Sequence, residues 1–257
     1  MTHGPPERVL QAFGAAGPPS PLPGGAGTSW RAGELVLKPA GDGERATLAW
    51  LDAAAPALVQ RERIRLALPL RSRDGSLIVE GWAATRRLAG AVPVGRWAER
   101  AAVARQLART FGPLDPRTLP PRDDPWARAD RIAWGEDDGP LRDHPLAAVR
   151  TVGTPPAAVV HGDLAGNTLL HPGLPPAVID LSLYARPVEW SVAVLCIDGV
   201  GFGGAPTGLL ATASADPSFP GYLARALLFR MVTDVLLGRP VDPAYRALVD
   251  PVLALAG

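Results

Sequence analysis

The chain is poor in lysine, asparagine and cysteine: its 257 residues contain one of each, Lys38, Asn167 and Cys196. A single cysteine excludes an intramolecular disulfide, and with it the small disulfide-stapled domain classes, which suits a reducing compartment. Cys196 sits among Val194, Leu195 and Ile197, where a small buried hydrophobe is the expected role and a nucleophile is not. Neither sign of charge is in excess. The 26 Lys and Arg residues against 25 Asp and Glu leave a net charge of +1, so neither nucleic acid nor an anionic membrane is expected as a partner. The N-terminus shows no basic-then-apolar leader pattern. Long hydrophobic runs are missing too: the most apolar stretch, 192–213, is broken by Asp198, Pro206 and five glycines, so it does not read as a membrane span. A cytoplasmic protein is expected.

What is present is arginine, 25 of the 26 basic residues, together with 28 glycines and 29 prolines. This bias resembles coding by a high-GC genome such as that of an actinobacterium. In a chain that avoids Lys and Asn, the one example of each is a candidate for chemical need. The length fits one large domain or two modest lobes, long enough to bury a core.

Along the chain, 5–15 has helical spacing, with Val9, Leu10 and Phe13 on one face. A Pro/Gly-rich segment follows at 17–27. Two short strands are expected at 28–30 and 35–38, and a helix at 43–54. Further strands at 63–71 and 76–82 flank the turn Arg73-Asp74-Gly75. A strong amphipathic helix is expected at 96–111, with Trp97, Ala101, Ala104 and Leu107 in line. A second helix begins near Pro125. Short apolar runs at 157–160 and 177–179 each lead into an acidic motif, and the remainder reads as helical. The predicted class is α+β, with a small sheet-plus-helix lobe (1–85) and a larger, mostly helical lobe (86–257).

The central motif is His161-Gly162-Asp163-Leu164-Ala165-Gly166-Asn167, entered from an apolar strand and left by another. A second motif, Ile179-Asp180, follows. Phosphoryl transfer requires such a set: one carboxylate to orient the attacking hydroxyl and accept its proton, and an amide oxygen with a second carboxylate to hold magnesium on the nucleotide phosphates. Upstream, Pro23-Gly24-Gly25-Ala26-Gly27 precedes the strand ending at Lys38. A Gly-rich turn lets backbone amides approach phosphates, and a lysine on the next strand can reach them. Glu44, early in the following helix, is the expected ion-pair partner of Lys38, with Asp42 as competitor.

The run from 157 to 190 resembles the catalytic loop and metal motif of the aminoglycoside phosphotransferases and related small-molecule kinases, which have a bilobal protein-kinase-like fold. The resemblance implies that Asp163 is the catalytic base, that His161 braces its loop, and that Asn167 and Asp180 are ligands of Mg2+. It implies that backbone groups near Glu80, Gly81 and Trp82 meet the adenine of ATP, or the base of GTP. It also implies a small-molecule acceptor as the partner. Neither the acceptor's identity nor an oligomeric state is encoded in these motifs.

Two departures stand out. The family's Asp and Asn are normally separated by four residues, whereas here three intervene, and a positive φ at Gly166 is expected to absorb the tighter turn. Near Trp190 the family usually has a bracing Asp, for which Glu189 is the candidate substitute. The shorter loop keeps a second reading open, a pseudokinase-like regulatory protein that binds nucleotide and transfers little or no phosphate. The stretch 122–145, with seven acidic and four basic residues, reads either as an acidic rim for a cationic substrate or as a solvated loop.

Overall fold

Strand alternation sets the first sheet. In the strand Leu35–Pro39, Leu37 is fully buried while its neighbour Lys38 points to the other face, as the two-residue period of a strand requires. The computed structural model describes residues 4–23, 27–59, 63–149 and 156–257. It divides the chain into two compact units, Met1–Val92 with Gly166–Leu181, and Pro93–Ala165 with Ser182–Gly257.

The first unit opens with helix α1 (Glu7–Phe13), which a left-handed Gly14 terminates. Strands β1 (Ser20–Pro21), β2 (Trp30–Ala32) and β3 (Leu35–Pro39) follow, then helix α2 (Asp42–Val59), which runs five residues past its predicted end and through Pro56. The short strands β4 (Arg65–Leu66) and β5 (Pro69–Leu70) lead to β6 (Trp82–Arg86). An antiparallel sheet in the order β1-β2-β3-β6-β5 results, and Val9, Ala32, Leu37, Trp82 and Ala84 form its core.

The predicted strand 76–82 is corrected here. Glu80 (φ 47°) and Gly81 (φ 77°) are both left-handed, and Val79 and Trp82 exchange two 2.9 Å backbone hydrogen bonds across them. Two consecutive left-handed residues between a paired couple make a tight hairpin turn of the primed type. The strand therefore begins at Trp82, where the sequence reading has it end.

The second unit begins with α3 (Trp97–Phe111), followed by α4 (Pro125–Ala133), α5 (Pro145–Ala148) and strand β7 (Ala158–His161). Helix α4 starts where Asp124 caps it, accepting from the Ala127 N–H at 2.9 Å, with Pro125 in the first turn. The chain then returns to the first unit as the hairpin β8 (Thr168–His171) and β9 (Leu174–Val178). The sequence-based division at residue 85 differs from the structural one because β9 pairs with β4 in parallel and Leu170 exchanges 3.0 Å hydrogen bonds with Ala91. Those bonds tie residues 166–181 to the N-terminal unit.

Strand β10 (Leu183–Arg186) re-enters the second unit and pairs with β7, His161 lying opposite Leu183. Helices α6 (Val188–Gly201), α7 (Leu209–Thr212), α8 (Phe219–Leu236), α9 (Pro243–Arg246) and α10 (Val249–Ala256) complete it. Helix α6 is buried on every side from Trp190 to Gly199, as expected of a helix apolar all round. Trp190, Tyr184 and Phe229 pack edge-to-face, with centroids 5.3–5.8 Å apart. Among the described residues, no helix is long and apolar enough to cross a membrane.

Candidate active site

In the second unit, β7 delivers His161 fully buried at its end. The ring Nδ1 accepts from the Asp163 N–H at 2.9 Å, the Ser191 hydroxyl donates to the His161 carbonyl, and the Gly162 N–H donates to the Ser182 carbonyl at 2.9 Å. Gly162 is required between them, because a Cβ there would overlap the Tyr184 ring. These contacts fix the backbone that carries Asp163, whose side chain is 47% exposed.

The expectation for Gly166 is not met. It is absent from the glycines with positive φ. The loop closes as an ordinary turn, and Arg100, buried on α3 with its guanidinium 4.0 Å from the Trp97 ring centroid, donates to the Ala165 carbonyl. The Asp163 carboxylate has a partner that the motif does not announce: Arg230 on α8 donates to Oδ1 at 2.8 Å. Arg230 also donates through Nε to Asp198 Oδ1 at 2.9 Å, and the Tyr245 hydroxyl donates to the same oxygen at 3.1 Å. Arg230, Asp198 and Tyr245 were all missed by the sequence reading. The only signal was Asp198 itself, an acid in the most apolar stretch of the chain, which a buried helix tolerates only with a partner.

In the first unit, Lys38 Nζ lies 2.9 Å from Asp180 Oδ1, across 142 residues of sequence. The predicted Lys38–Glu44 pair is thereby corrected. Glu44 turns back to accept from the Gly41 N–H at 2.7 Å, capping the start of α2, and Asp42 pairs with Arg45. Asp180 is left-handed (φ 52°), a conformation short polar side chains tolerate and one found at functional sites. Asn167, at the start of β8, accepts through its carbonyl from the Ile179 N–H at 3.0 Å, so the two motif segments run side by side.

Of the Gly-rich segment, Gly24 and Gly25 lie outside the described residues. Gly27 is left-handed with open space where a Cβ would be, in the connection between the paired strands β1 and β2. Glu80 sits in the tight turn. Trp82 packs its side chain into the core and spends its N–H and carbonyl on Val79, while the Gly81 carbonyl accepts from Ala40 at 2.8 Å. Those backbone groups already have partners within the unit, so the structure lends no support to the adenine contact predicted for Gly81 and Trp82.

Two further expectations change. Glu189 makes a bidentate pair with Arg105, both contacts 2.7 Å, on the wall of a cleft of about 450 Å³ that Ala158 and Val188 also line and the base loop does not. Each of the seven acids of 122–145 has an arginine within 3.9 Å, among them Asp130 and Glu136 on Arg186 at 2.7 and 2.5 Å. Five arginines therefore already share these seven acids, and little of an acidic rim is left for a cation.

No protein-family model matches the chain, and no curated protein matches it by sequence. Solved structures match over nearly all of it. A choline/ethanolamine kinase family protein from Mesorhizobium loti is 22% identical, with 96% of this chain and 91% of that chain covered and a TM-score of 0.55. An aminoglycoside phosphotransferase from Alicyclobacillus acidocaldarius is 14% identical, covering 100% and 93%, with a TM-score of 0.58. The fold is the protein-kinase-like one. A thermostable mutant of another aminoglycoside phosphotransferase, solved in ternary complex with AMP-PNP and hygromycin B, shares it at 12% identity, 97% of each chain and a TM-score of 0.59.

Proposed function

We propose that this protein is a nucleotide-dependent phosphotransferase that phosphorylates a hydroxyl group of a small molecule, using ATP or GTP with Mg2+. The observation that carries the reading is the Lys38–Asp180 contact. The sole lysine of the chain is brought against the acid of the Ile-Asp motif from 142 residues away, which no local feature of either segment demands.

In this reading Lys38 and the β1–β2 connection hold the nucleotide phosphates. Asn167 and Asp180 are hard-oxygen donors on adjacent segments. Among the described residues no cluster of three or more His, Cys, Asp or Glu side chains is gathered for a metal. That donor set fits Mg2+, which binds through one or two carboxylates and completes its shell with water and substrate phosphates. The ion would neutralise charge on the phosphates. The nucleotide base is assigned to the backbone after β6, residues 88–90, between the Arg87 and Ala91 amides that are spent on Glu34 and Leu170, in place of Glu80–Trp82. Gly90 there approaches Leu169 and Leu170 so closely that a Cβ would sit 3.0 Å from each. The acceptor oxygen attacks the γ-phosphorus, the bond to the β–γ bridging oxygen breaks, the nucleoside diphosphate leaves, and the hydroxyl proton passes to Asp163.

Thermal unfolding with Mg-ATP and Mg-GTP tests the reading. At nucleotide concentrations 100-fold above Kd the stabilisation is ~2.7 kcal/mol, and Lys38→Ala and Asp180→Ala should reduce or abolish it. Asp163→Asn should keep the shift and lower transfer from labelled nucleotide to the best acceptor of a panel by ~100-fold or more. No shift with either nucleotide at millimolar concentration would overturn the proposal. A clear shift without transfer to any acceptor would favour the regulatory alternative.

A further inference from the structure

Arg230 is not part of any motif, yet its guanidinium is in contact with the carboxylate of the candidate base. Its side chain is 10% exposed, on α8, 67 residues beyond Asp163. The donors of a guanidinium form a rigid planar fork. With Nε and Nη2 both docked on Asp198, whose side chain is 8% exposed on α6 and also receives the Tyr245 hydroxyl, the direction in which Nη2 meets Asp163 is set by packed helices. The loop that carries Asp163 is one residue shorter than the pattern it resembles and gains no left-handed glycine. A carboxylate 47% exposed on such a loop would otherwise sample several rotamers.

The charges are ordered as well. Arg230 lies between two acids. If it met Asp163 alone, its full positive charge would leave the pair neutral. Asp198 neutralises that charge, so the three groups together keep the single negative charge that a proton acceptor needs.

We propose that Arg230 is the positioning residue of the base: anchored on Asp198, which the Tyr245 hydroxyl holds in turn, it keeps the Asp163 carboxylate in the orientation that accepts the proton of the acceptor hydroxyl. The proposal rests on the phosphotransferase reading above and goes beyond it by adding three residues that act through Asp163.

The test uses the full chain and three variants. Arg230→Met/Asp198→Leu removes both charges of the buried pair with apolar side chains, the exchange most compatible with folding. Arg230→Lys keeps the charge without the fork, and Tyr245→Phe removes only the hydroxyl. Three measurements are made: the Mg-ATP thermal shift, kcat and KM for transfer from γ-labelled ATP to the best acceptor of the panel (or to water), and crystal structures of the wild type and the double variant. The double variant should keep the nucleotide shift and the KM for ATP while kcat falls ~100-fold, the scale of general-base catalysis. Arg230→Lys should recover part of the loss, and Tyr245→Phe should lose less than either. In the crystal, Asp163 should be turned away or split between rotamers. Wild-type kcat in the folded double variant, or an Asp163 orientation identical to the wild type, would overturn the proposal. The crystallographic comparison needs no acceptor and decides the matter where no transfer is detected. A wild-type protein without any nucleotide shift would sink the phosphotransferase reading itself, whereas full turnover in the double variant would sink Arg230 alone.

Discussion

Two charge clusters of this protein are built on opposite physical terms. In the first unit Lys38 and Asp180 meet with side chains 36% and 56% exposed. In the second, Arg230 and Asp198 meet with 10% and 8% exposed. An exposed pair in a high-dielectric setting contributes ~0–1 kcal/mol, so a phosphate or a cation can come between its partners at little cost. A buried pair has already lost its hydration and cannot exchange partners cheaply. Burial works against the charge on Arg230, but Asp198 and Asp163 outweigh it and hold the guanidinium far above its ordinary value. The contrast fits the two roles proposed above: an exposed cluster in the first unit that a ligand could open, and a buried one in the second that would set the direction of a single carboxylate.

The most direct way to break this comparison is to remove one cation from each cluster. Arg230→Met strands Asp198 as an uncompensated buried charge and should cost ~3–5 kcal/mol of stability. Lys38→Met leaves Asp180 in solvent and should cost less than ~1 kcal/mol. Urea denaturation of both variants measures the difference, and equal losses would mean that exposure does not govern the two clusters.

How far these clusters are legible in sequence follows the same division. The strand and loop motifs around Asp163 and Asp180 were readable because local patterns mark them: apolar runs, each leading into an acidic motif. The α+β order of elements was readable for the same reason. The partners of those acids were not, because pairing is a tertiary property. Glu44 sits where a helix-start acid can meet Lys38 or cap its own helix, and the Gly41 N–H, only three residues away, is the partner that it takes. The seven acids of 122–145 look like a negative patch until their arginines, one of them the distant Arg186, are seen beside them. Arg230 carries no sequence signal at all, lying within a stretch read only as helical. The turn at Glu80-Gly81 was missed because Glu is not a usual left-handed residue.

A medium-sized effect should come from Glu189. Burial alone would raise its carboxyl, but hydrogen bonds from Arg105 and Ser214 and the Arg105 charge outweigh burial and hold it below its ordinary value of 4.5. A carboxyl depressed in the folded state binds fewer protons there than in the unfolded chain, so stability rises with pH across its titration. The contribution of this pair is present above about pH 4.5 and is lost as pH falls through the depressed folded value. The gap in urea midpoint between wild type and Glu189→Gln should therefore be largest at pH 7 and shrink toward pH 3. A constant gap would show that the Arg105 contact does not depend on the Glu189 charge.

The smallest expected effect concerns the turn at Glu80, which belongs to neither cluster. Glu80 holds φ 47° next to Gly81 at 77°, and this kind of turn strongly prefers Asn-Gly, because Asn tolerates the left-handed region where Glu is strained. Glu80→Asn relieves that strain and forfeits only the ion pair with Arg8, whose side chain is 74% exposed and which is worth little. The net gain should be ~0.5–1 kcal/mol, the usual yield of fitting a residue to its backbone, read as a higher urea midpoint with an unchanged m-value. The Mg-ATP thermal shift should stay as in the wild type, since the nucleotide base is assigned to 88–90. A shift lost in Glu80→Asn while stability rises would return the nucleotide contact to Glu80 and overturn the assignment to the segment after β6.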